Sequence, residues 1–261
     1  MSDSDLLAVT DLDVRYGPAR ALNGISLRLP ERSTTAVLGV NGAGKSTLAR
    51  AVSGLVPVYG GRVLLDGRDV TGLRPHHIRK LGVVHLSEGA GVFPSLTVAD
   101  NVHMSVLALP RKARRAAIDA AFDFFPQLTA RRHLLAGRLS GGERQMLSLA
   151  RALAGQPRVI IADELSLGLA PIMVDTVFDG LDRIRQRGSS IILIEQYVHR
   201  ALAFADSCVL LQRGQVTWAG PTSQARPETL ERFLGGTTAL QPDDSVPALS
   251  DQTAEPERRT I

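Results

Sequence analysis

The chain has 261 residues, of which 44% are hydrophobic and 21% charged, and its net charge is only +4. This composition fits one domain with a core of its own, and the scattered basic residues form no aromatic-lined face that would bind nucleic acid. A single cysteine, Cys208, excludes an internal disulfide, and the apolar runs fall far short of the roughly 20 residues that cross a bilayer, so we expect a cytosolic chain that can still dock on a membrane protein.

The first part of the chain is rich in predicted strands. Apolar residues indicate strands over residues 6–16, 25–29 and 34–38, and a helical pattern follows from residue 45 to about 54. A glycine pair then leads into a short strand over 62–65. These strands predict a β-rich N-terminal part of the chain.

The pattern changes from residue 97 to about 153, where alanine, leucine and arginine recur at three- and four-residue spacing and predict a run of helices. Strands and helices then alternate again, and several strands are apolar throughout, as in a parallel sheet covered on both faces. The predicted elements are strand 159–162, helix 172–187, strand 190–194, helix 196–204, strand 209–212 and strand 216–219.

These elements predict an α/β fold in which a helical lobe interrupts the core. We place the core at about 6–88 and 156–236 and the lobe at about 89–155, within one domain of residues 1–236. Residues 237–261 carry prolines and acids but too few apolar residues to fold alone, so we expect a disordered tail.

A phosphate-binding motif lies between a predicted strand and a predicted helix. The segment Gly39-Val-Asn-Gly-Ala-Gly-Lys-Ser-Thr47 matches G-x-x-x-x-G-K-[ST], and its glycines let backbone N–H groups converge on phosphate oxygens. Lys45 adds a positive charge for the β- and γ-phosphates of ATP, and the Ser46 hydroxyl can bind Mg²⁺. The candidate nucleotide-binding residues are Gly39, Asn41, Gly42, Ala43, Gly44, Lys45, Ser46 and Thr47.

A second candidate site is the acidic pair that follows the predicted strand 159–162. Its position puts Asp163 at the carboxyl edge of the sheet, where open α/β folds bind ligands. Asp163 can hold Mg²⁺ through water, and Glu164 can orient and polarise the water that attacks the γ-phosphate. Acids are common at turns, but the phosphate loop upstream makes this pair a strong indication of nucleotide hydrolysis.

The stretch Leu139-Ser-Gly-Gly-Glu-Arg-Gln145 begins a predicted helix and has two interpretations. Ser140 followed by Gly141 and Gly142 at a helix start is a geometry that receives anions. Ser140 with Glu143 three residues later is also a capping box, which serves the N–H groups of the helix itself. The two interpretations are compatible, and this stretch alone does not choose between them.

The phosphate loop, the stretch that begins at Leu139 and the acidic pair, in this order and spacing, resemble the ABC ATPases. The resemblance runs from about residue 6 to residue 234. It implies a P-loop NTPase (RecA-like) core with an N-terminal antiparallel β-subdomain and an inserted α-helical signature lobe. Within the family, the chain is most similar to the LivF-type ATPases of branched-chain amino acid importers. The residues that carry this similarity are Ser87-Glu-Gly, Phe93-Pro-Ser-Leu-Thr-Val98, Asp163-Glu-Leu-Ser-Leu-Gly-Leu-Ala-Pro171 and Ile194-Glu-Gln196.

The resemblance implies roles for several residues in nucleotide binding. Tyr16 matches the aromatic residue that stacks on adenine, although an ordinary strand tyrosine is the alternative. Ser140, Gly141 and Gly142 match the signature that touches the γ-phosphate bound to the opposite subunit. The chain would then complete no nucleotide site alone.

Two further positions follow from the same resemblance. Glu88 stands where most ABC ATPases have the glutamine that links Mg²⁺ and water to the transporter contact, and Gln196 stands where most have the γ-phosphate-sensing histidine. Both replacements are usual in LivF-type chains. The implied catalytic residues are Lys45, Glu164 and Gln196, and the implied metal ligands are Ser46, Asp163 and Glu88.

The chain also departs from the LivF pattern. Ala90 and Gly91 stand where arginines are usual, in the segment expected to meet the membrane subunit, so the cargo stays open. Leu165 replaces a proline, a change that should not remove the chemistry. No metal-ligand spacing joins the histidines, and we expect none of the following to be catalytic: His76, His77, His85, His103 and His133.

The resemblance implies an ATPase that uses ATP and Mg²⁺ to power amino-acid uptake from the cytoplasmic face of a bacterial membrane. Its implied partners are a second ATPase subunit, either LivG-like or another copy, integral membrane permeases and, indirectly, a substrate-binding protein. One alternative is an importer of another small polar solute, such as urea or an amide. A non-transport ABC ATPase is the other, but such proteins usually have two cassettes or a long coiled coil, and this sequence shows neither.

Overall fold

The structure is a computed structural model that describes residues 5–87, 91–227 and 230. The predicted metal ligand Glu88 and the predicted disorder of residues 237–261 lie outside the described residues.

The described residues form strands and short-to-medium helices. The strands are β1 (Asp5–Tyr16), β2 (Ala19–Pro30), β3 (Thr34–Gly39), β4 (Gly60–Leu65), β5 (Arg68–Asp69), β6 (Val83–Ser87), β7 (Val159–Asp163), β8 (Ser190–Glu195), β9 (Ser207–Gln212) and β10 (Gln215–Pro221). The α-helices are α1 (Lys45–Val52), α2 (Pro75–Lys80), α3 (Val98–Ser105), α4 (Arg111–Phe124), α5 (Pro126–Thr129), α6 (Gly141–Gly155), α7 (Pro171–Gln186) and α8 (Val198–Phe204). Two 3₁₀ turns cover Ala136–Arg138 and Thr222–Gln224.

An antiparallel sheet with the strand order β2-β1-β4-β5 forms the N-terminal layer. Buried and exposed residues alternate along β2 because one face of this sheet packs on the core. Leu12, Val14, Leu22 and Ile25 are fully buried there, in one cluster with Leu48 of α1. The predicted antiparallel β-subdomain is confirmed.

The second sheet has six strands in the order β10-β9-β3-β8-β7-β6. All neighbouring strands in it are parallel except β10, which pairs antiparallel with β9. Every residue of β3, β7 and β8 is buried, because both faces of these strands are covered. The face that includes Val37 packs against α1 and the first sheet. The face that includes Leu38 packs against helices. Because the three strands are parallel neighbours, their carboxyl ends meet at one edge of the sheet.

The helical lobe lies between β6 and β7 in the chain and contains α3 to α6. Its helix α6 packs against α3, α4 and α7, so it joins the lobe to the core through a cluster that includes Phe125 and Leu128. The buried Asn101 fixes the entry to the lobe, because its side chain accepts from the Phe93 N–H at 2.8 Å and donates to the Phe93 and Thr97 carbonyls at 2.9 Å. This is the predicted inserted lobe.

The structure corrects the predicted elements at two points. The sequence pattern predicts neither α2 nor β6. The strand β6 is short, contains His85 and Ser87, and is defined by its pairing with β7. The predicted helix 196–204 is wrong at its start, since α8 begins at Val198 and Gln196 precedes it. Cys208 is buried in β9, and that burial raises the pKa of its thiol to about 12.

Candidate nucleotide site

The phosphate loop leaves β3 at Gly39 and enters α1 at Lys45. Gly39 passes so close to β9 that a Cβ atom would lie 2.7 Å from the Leu211 carbonyl oxygen. Gly42 and Gly44 have φ angles of 80° and 108°, in the left-handed region that favours glycine. The path of the loop therefore requires the glycines of the motif.

Lys45 is the first residue of α1 and is only 4% exposed. Its Nζ donates to the carbonyl oxygens of Gly39 at 2.9 Å and Val40 at 3.3 Å, and it forms an ion pair with Glu164 Oε1 at 3.1 Å. These partners compensate the ammonium group for its loss of hydration. The structure thus brings Lys45 and Glu164, which are far apart in sequence, into direct contact.

Asp163 ends β7 and is buried beside the start of α1. The Ser46 hydroxyl donates to Asp163 Oδ1 at 3.2 Å. Both groups offer the hard oxygen donors that Mg²⁺ takes together with water and phosphate oxygens. The donor set of Ser46 and Asp163 therefore fits this ion.

Glu164 follows β7 in a left-handed conformation, with φ of 52°, which costs about 1–3 kcal/mol for a residue with a side chain. Its N–H donates to the Ile194 carbonyl of β8 at 3.0 Å. Its Oε1 accepts from Gln196 Nε2 at 3.2 Å, and the same Nε2 donates to Asn41 Oδ1 at 2.9 Å. Gln196 therefore connects the phosphate loop with the candidate catalytic carboxylate.

A second carboxylate is buried directly behind this group. Glu195 is the last residue of β8 and is 2% exposed, and each of its carboxylate oxygens lies 2.8 Å from the hydroxyl of Ser166. Desolvation raises the pKa of Glu195 to about 7, against the hydrogen bonds from Ser166 and the Gln196 N–H, and the negative charge of Glu164 contributes to the rise. Sequence reasoning did not select Glu195; the available signal was an acid that ends an apolar strand next to Gln196.

His85 also reaches this edge, which the spacing of the histidines did not indicate. It lies on β6, and its Nε2 is 3.5 Å from Asp163 Oδ2. Within the described part of the chain, that buried nitrogen has no hydrogen-bond partner. The position follows from the parallel pairing of β6 with β7, in which Ser87 faces Asp163, so it required prediction of a strand that the sequence pattern does not show.

A cavity of about 500 Å³ opens beside the phosphate loop. Its lining includes Asn41, Gly42, Gly44, Lys45, Ser46, Thr47, Glu164, Arg20 and Arg213. Arg20 and Arg213 add guanidinium groups that suit a polyphosphate. Tyr16, the last residue of β1, is 45% exposed and is not part of the lining, while Ala43 is buried within the phosphate loop. All the predicted phosphate-loop residues except Gly39 and Ala43 thus line this cavity, and the predicted adenine-stacking residue Tyr16 does not.

The predicted signature forms the N-terminus of α6. Ser140 is the N-cap residue, and its hydroxyl accepts from the Glu143 N–H at 3.2 Å while Glu143 Oε2 accepts from the Ser140 N–H at 2.8 Å. The Ser140 N–H, with Arg131 in an ion pair at 2.8 Å, holds the pKa of Glu143 below its usual value. The capping box is therefore present.

The two signature glycines differ in their surroundings. A Cβ atom on Gly141 would meet nothing within 4 Å, whereas one on Gly142 would lie 2.8 Å from the Met173 methyl group. Gly142 thus allows the start of α6 to approach the start of α7. Ser140, Gly141 and Gly142 do not line the cavity beside the phosphate loop, so the structure does not bring them together with Lys45 in one chain.

Comparison with known proteins is consistent with this geometry. Residues 22–166 match the family model described as ABC transporter. The chain is 37% identical over 220 residues to a probable branched-chain amino acid transport ATP-binding protein LivF of Archaeoglobus fulgidus, with 84% of this chain and 93% of the relative covered. It is 32% identical over 233 residues to the high-affinity branched-chain amino acid transport ATP-binding protein BraG of Pseudomonas aeruginosa, with 88% and 100% covered.

Another relative is named for a different cargo. A ribose import ATP-binding protein RbsA 1 of Mesorhizobium japonicum is 33% identical over 236 residues, covering 88% of this chain and 46% of the relative. A solved ATP-binding subunit of an ABC transporter superposes with a TM-score of 0.79 at 23% identity, covering 88% of this chain and 99% of that one, and this supports the fold. None of the described helices is long and apolar enough to span a bilayer. The chain therefore belongs to the ABC transporter family, as an ATP-binding subunit that hydrolyses ATP.

Proposed function

We propose that this chain powers an importer of branched-chain or related amino acids from the cytoplasmic face of the membrane. The observation that carries the proposal is the meeting of Lys45, Ser46, Asp163, Glu164 and Gln196 at the carboxyl edge of the parallel sheet. These groups supply the phosphate-binding cation, the metal-binding oxygens and the carboxylate that phosphoryl transfer to water uses. The similarity to LivF and BraG supports the class of cargo.

The proposed reaction is hydrolysis of ATP to ADP and phosphate. Lys45 and the loop N–H groups bind the β- and γ-phosphates, and the phosphates compete with Glu164 for the Lys45 ammonium. Glu164 then holds the attacking water and takes up its proton as the water oxygen bonds to the γ-phosphorus and the bond to the leaving ADP oxygen breaks. Gln196, already bonded to Glu164, contacts the γ-phosphate. Mg²⁺, held by Ser46 and Asp163, would neutralise charge on the phosphate oxygens.

The signature serves a second subunit in this proposal. Ser140 and Gly141 are exposed and lie outside the cavity of their own phosphate loop. A helix start with exposed N–H groups can receive the γ-phosphate of a neighbour's ATP, in addition to its capping role. A head-to-tail pair, either with another copy or with a LivG-like subunit, would complete two sites and move attached permeases when it closes.

The similarity to ribose import proteins favours one alternative, an importer of a different small polar solute. The same ATPase cycle would operate there, since the catalytic groups do not select the cargo. A substrate-binding protein and the permeases would select it instead.

The change Glu164→Gln tests the proposed chemistry. It keeps the side-chain volume but removes the carboxylate, so we expect ATP binding to persist, hydrolysis to fall by about a hundredfold or more, and a nucleotide-dependent dimer to accumulate. Phosphate release, calorimetric ATP binding and light scattering measure the three effects. Glu31→Gln is the matched control, because Glu31 is exposed in the turn after β2. Undiminished hydrolysis by Glu164→Gln would contradict the assigned role.

A further inference from the structure

We propose that Glu195 is a positioning residue that holds Glu164 and Gln196 in their hydrolytic arrangement through Ser166. The inference rests on the proposed function, since it gives these two residues their roles. Glu195 itself stays behind the site and touches no nucleotide in this scheme.

The contact between Glu195 and Ser166 is buried on both sides. Glu195 is 2% exposed and Ser166 is 1% exposed, and the Ser166 hydroxyl lies 2.8 Å from both carboxylate oxygens. The Gln196 N–H donates to the same carboxylate, to Oε2, at 3.3 Å. Two donors from two chain segments, the Ser166 hydroxyl and the Gln196 N–H, therefore converge on one carboxylate.

These donors close a ring of contacts around the candidate catalytic acid. Ser166 follows Glu164 by two residues, and Gln196 directly follows Glu195. Gln196 Nε2 returns to Glu164 Oε1 at 3.2 Å, which completes the ring. Glu164 has a left-handed backbone conformation with φ of 52°, which persists only where surrounding contacts hold it. The orientation of the Glu164 side chain therefore depends on the contacts of Ser166 and Gln196.

A purely structural role accounts poorly for a carboxylate at this position. The five residues of β8 before Glu195 are Ser190 and an unbroken apolar run, and an apolar residue at 195 would avoid burying an acid near Glu164. A buried carboxylate with two donors fixes directions that apolar packing leaves free, because hydrogen bonds are directional. Glu195 is thus placed to orient both neighbours.

The test compares the variants Glu195→Ala, Glu195→Gln and Ser166→Ala in the full chain. We expect Glu195→Ala and Ser166→Ala to lower kcat for ATP hydrolysis by about 10- to 100-fold, as the loss of a partner behind a catalytic group does, with the Kd for ATP unchanged. Glu195→Gln should restore most of the activity, because its amide oxygen still accepts from Ser166. The double variant Ser166→Ala/Glu195→Ala should be no slower than the slower of its two single variants, because both changes break the same contact between Ser166 and Glu195.

Ser189→Ala is the matched control. Ser189 is also buried and its hydroxyl donates one hydrogen bond, to the Pro157 carbonyl at 2.6 Å, but it lies at the opposite end of the sheet. It should lower the melting temperature as Ser166→Ala does while leaving kcat unchanged. If Glu195→Ala does not fold, Ser166→Ala and Glu195→Gln decide the question.

The inference is overturned if Ser166→Ala retains the kcat of the Ser189→Ala control, or if Glu195→Gln is as slow as Ser166→Ala. Its failure is separate from that of the proposed function. Equal hydrolysis by wild type and Glu164→Gln would refute the function, whereas a slow Glu164→Gln with normal Ser166→Ala would refute only the positioning role.

Discussion

At the scale of single residues, burial changes when Glu195 ionises. Its side chain is almost entirely removed from water, and desolvation penalises the charged form, so the folded chain holds the proton up to a pKa of about 7. The unfolded chain releases the same proton near the ordinary value of 4.5. Between these values the native state binds more protons than the unfolded state, so the free energy of unfolding falls as the pH rises.

The change Glu195→Gln should remove this contribution to the pH dependence. Wild type should lose about 2 kcal/mol more of unfolding free energy than Glu195→Gln between pH 5 and pH 8, because only wild type must ionise a buried carboxyl group over that range. Urea unfolding of both chains at the two pH values measures the difference. An identical loss in both chains would show that Glu195 does not titrate in this window.

At the scale of elements, the start of α6 combines a structural and a proposed functional role. The capping box of Ser140 and Glu143 satisfies N–H groups of the helix, and the neighbouring Gly141 leaves the surface around it open. Capping requires only a side chain that accepts hydrogen bonds from the N–H groups of α6. The proposed signature role requires a surface that binds the negatively charged γ-phosphate of another subunit's ATP. The two roles therefore respond differently to charge.

The pair Ser140→Asp and Ser140→Ala separates these roles. Aspartate is a good N-cap and should keep the melting temperature near that of wild type, whereas alanine should cost about 1 kcal/mol. Both variants should slow ATP hydrolysis, and aspartate should do so by more than about tenfold because its charge repels a γ-phosphate. Thermal unfolding and phosphate release provide the readouts. Normal hydrolysis by a stable Ser140→Asp chain would leave capping as the sole role.

At the scale of the whole molecule, the sequence predicts those elements whose signal lies in consecutive residues. The apolar runs of β7 and β8 and the phosphate loop between β3 and α1 are continuous signals, and the sequence predicts both. The strand β6 is not predicted, because parallel pairing with β7, distant in the chain, defines it. The same limit applies to Ser166 and Glu195, which lie 29 residues apart and meet only through the sheet, and to His85 beside Asp163.

The proposed cargo belongs to the same scale, since it concerns an assembly. In vesicles that contain this chain, a second ATPase subunit and the permeases, we expect a branched-chain amino acid with its binding protein to stimulate ATP hydrolysis. Ribose should not, and urea and an amide serve as further comparisons. Phosphate release and uptake of labelled leucine measure the response. Stimulation by ribose alone would replace the amino acid as cargo and leave the ATPase chemistry intact.

The close approach of Gly142 to Met173 links what the chain offers to a neighbour with what it uses itself. Met173 stands in the first turn of α7, and the segment that enters this helix begins at Glu164 and includes Ser166. A displacement of the start of α6 would therefore press on the segment that contains Ser166 and the proposed catalytic residue Glu164. In the proposed head-to-tail pair, ATP bound by one subunit would in this way reach the hydrolytic site of the other through the signature, without a step in the permeases.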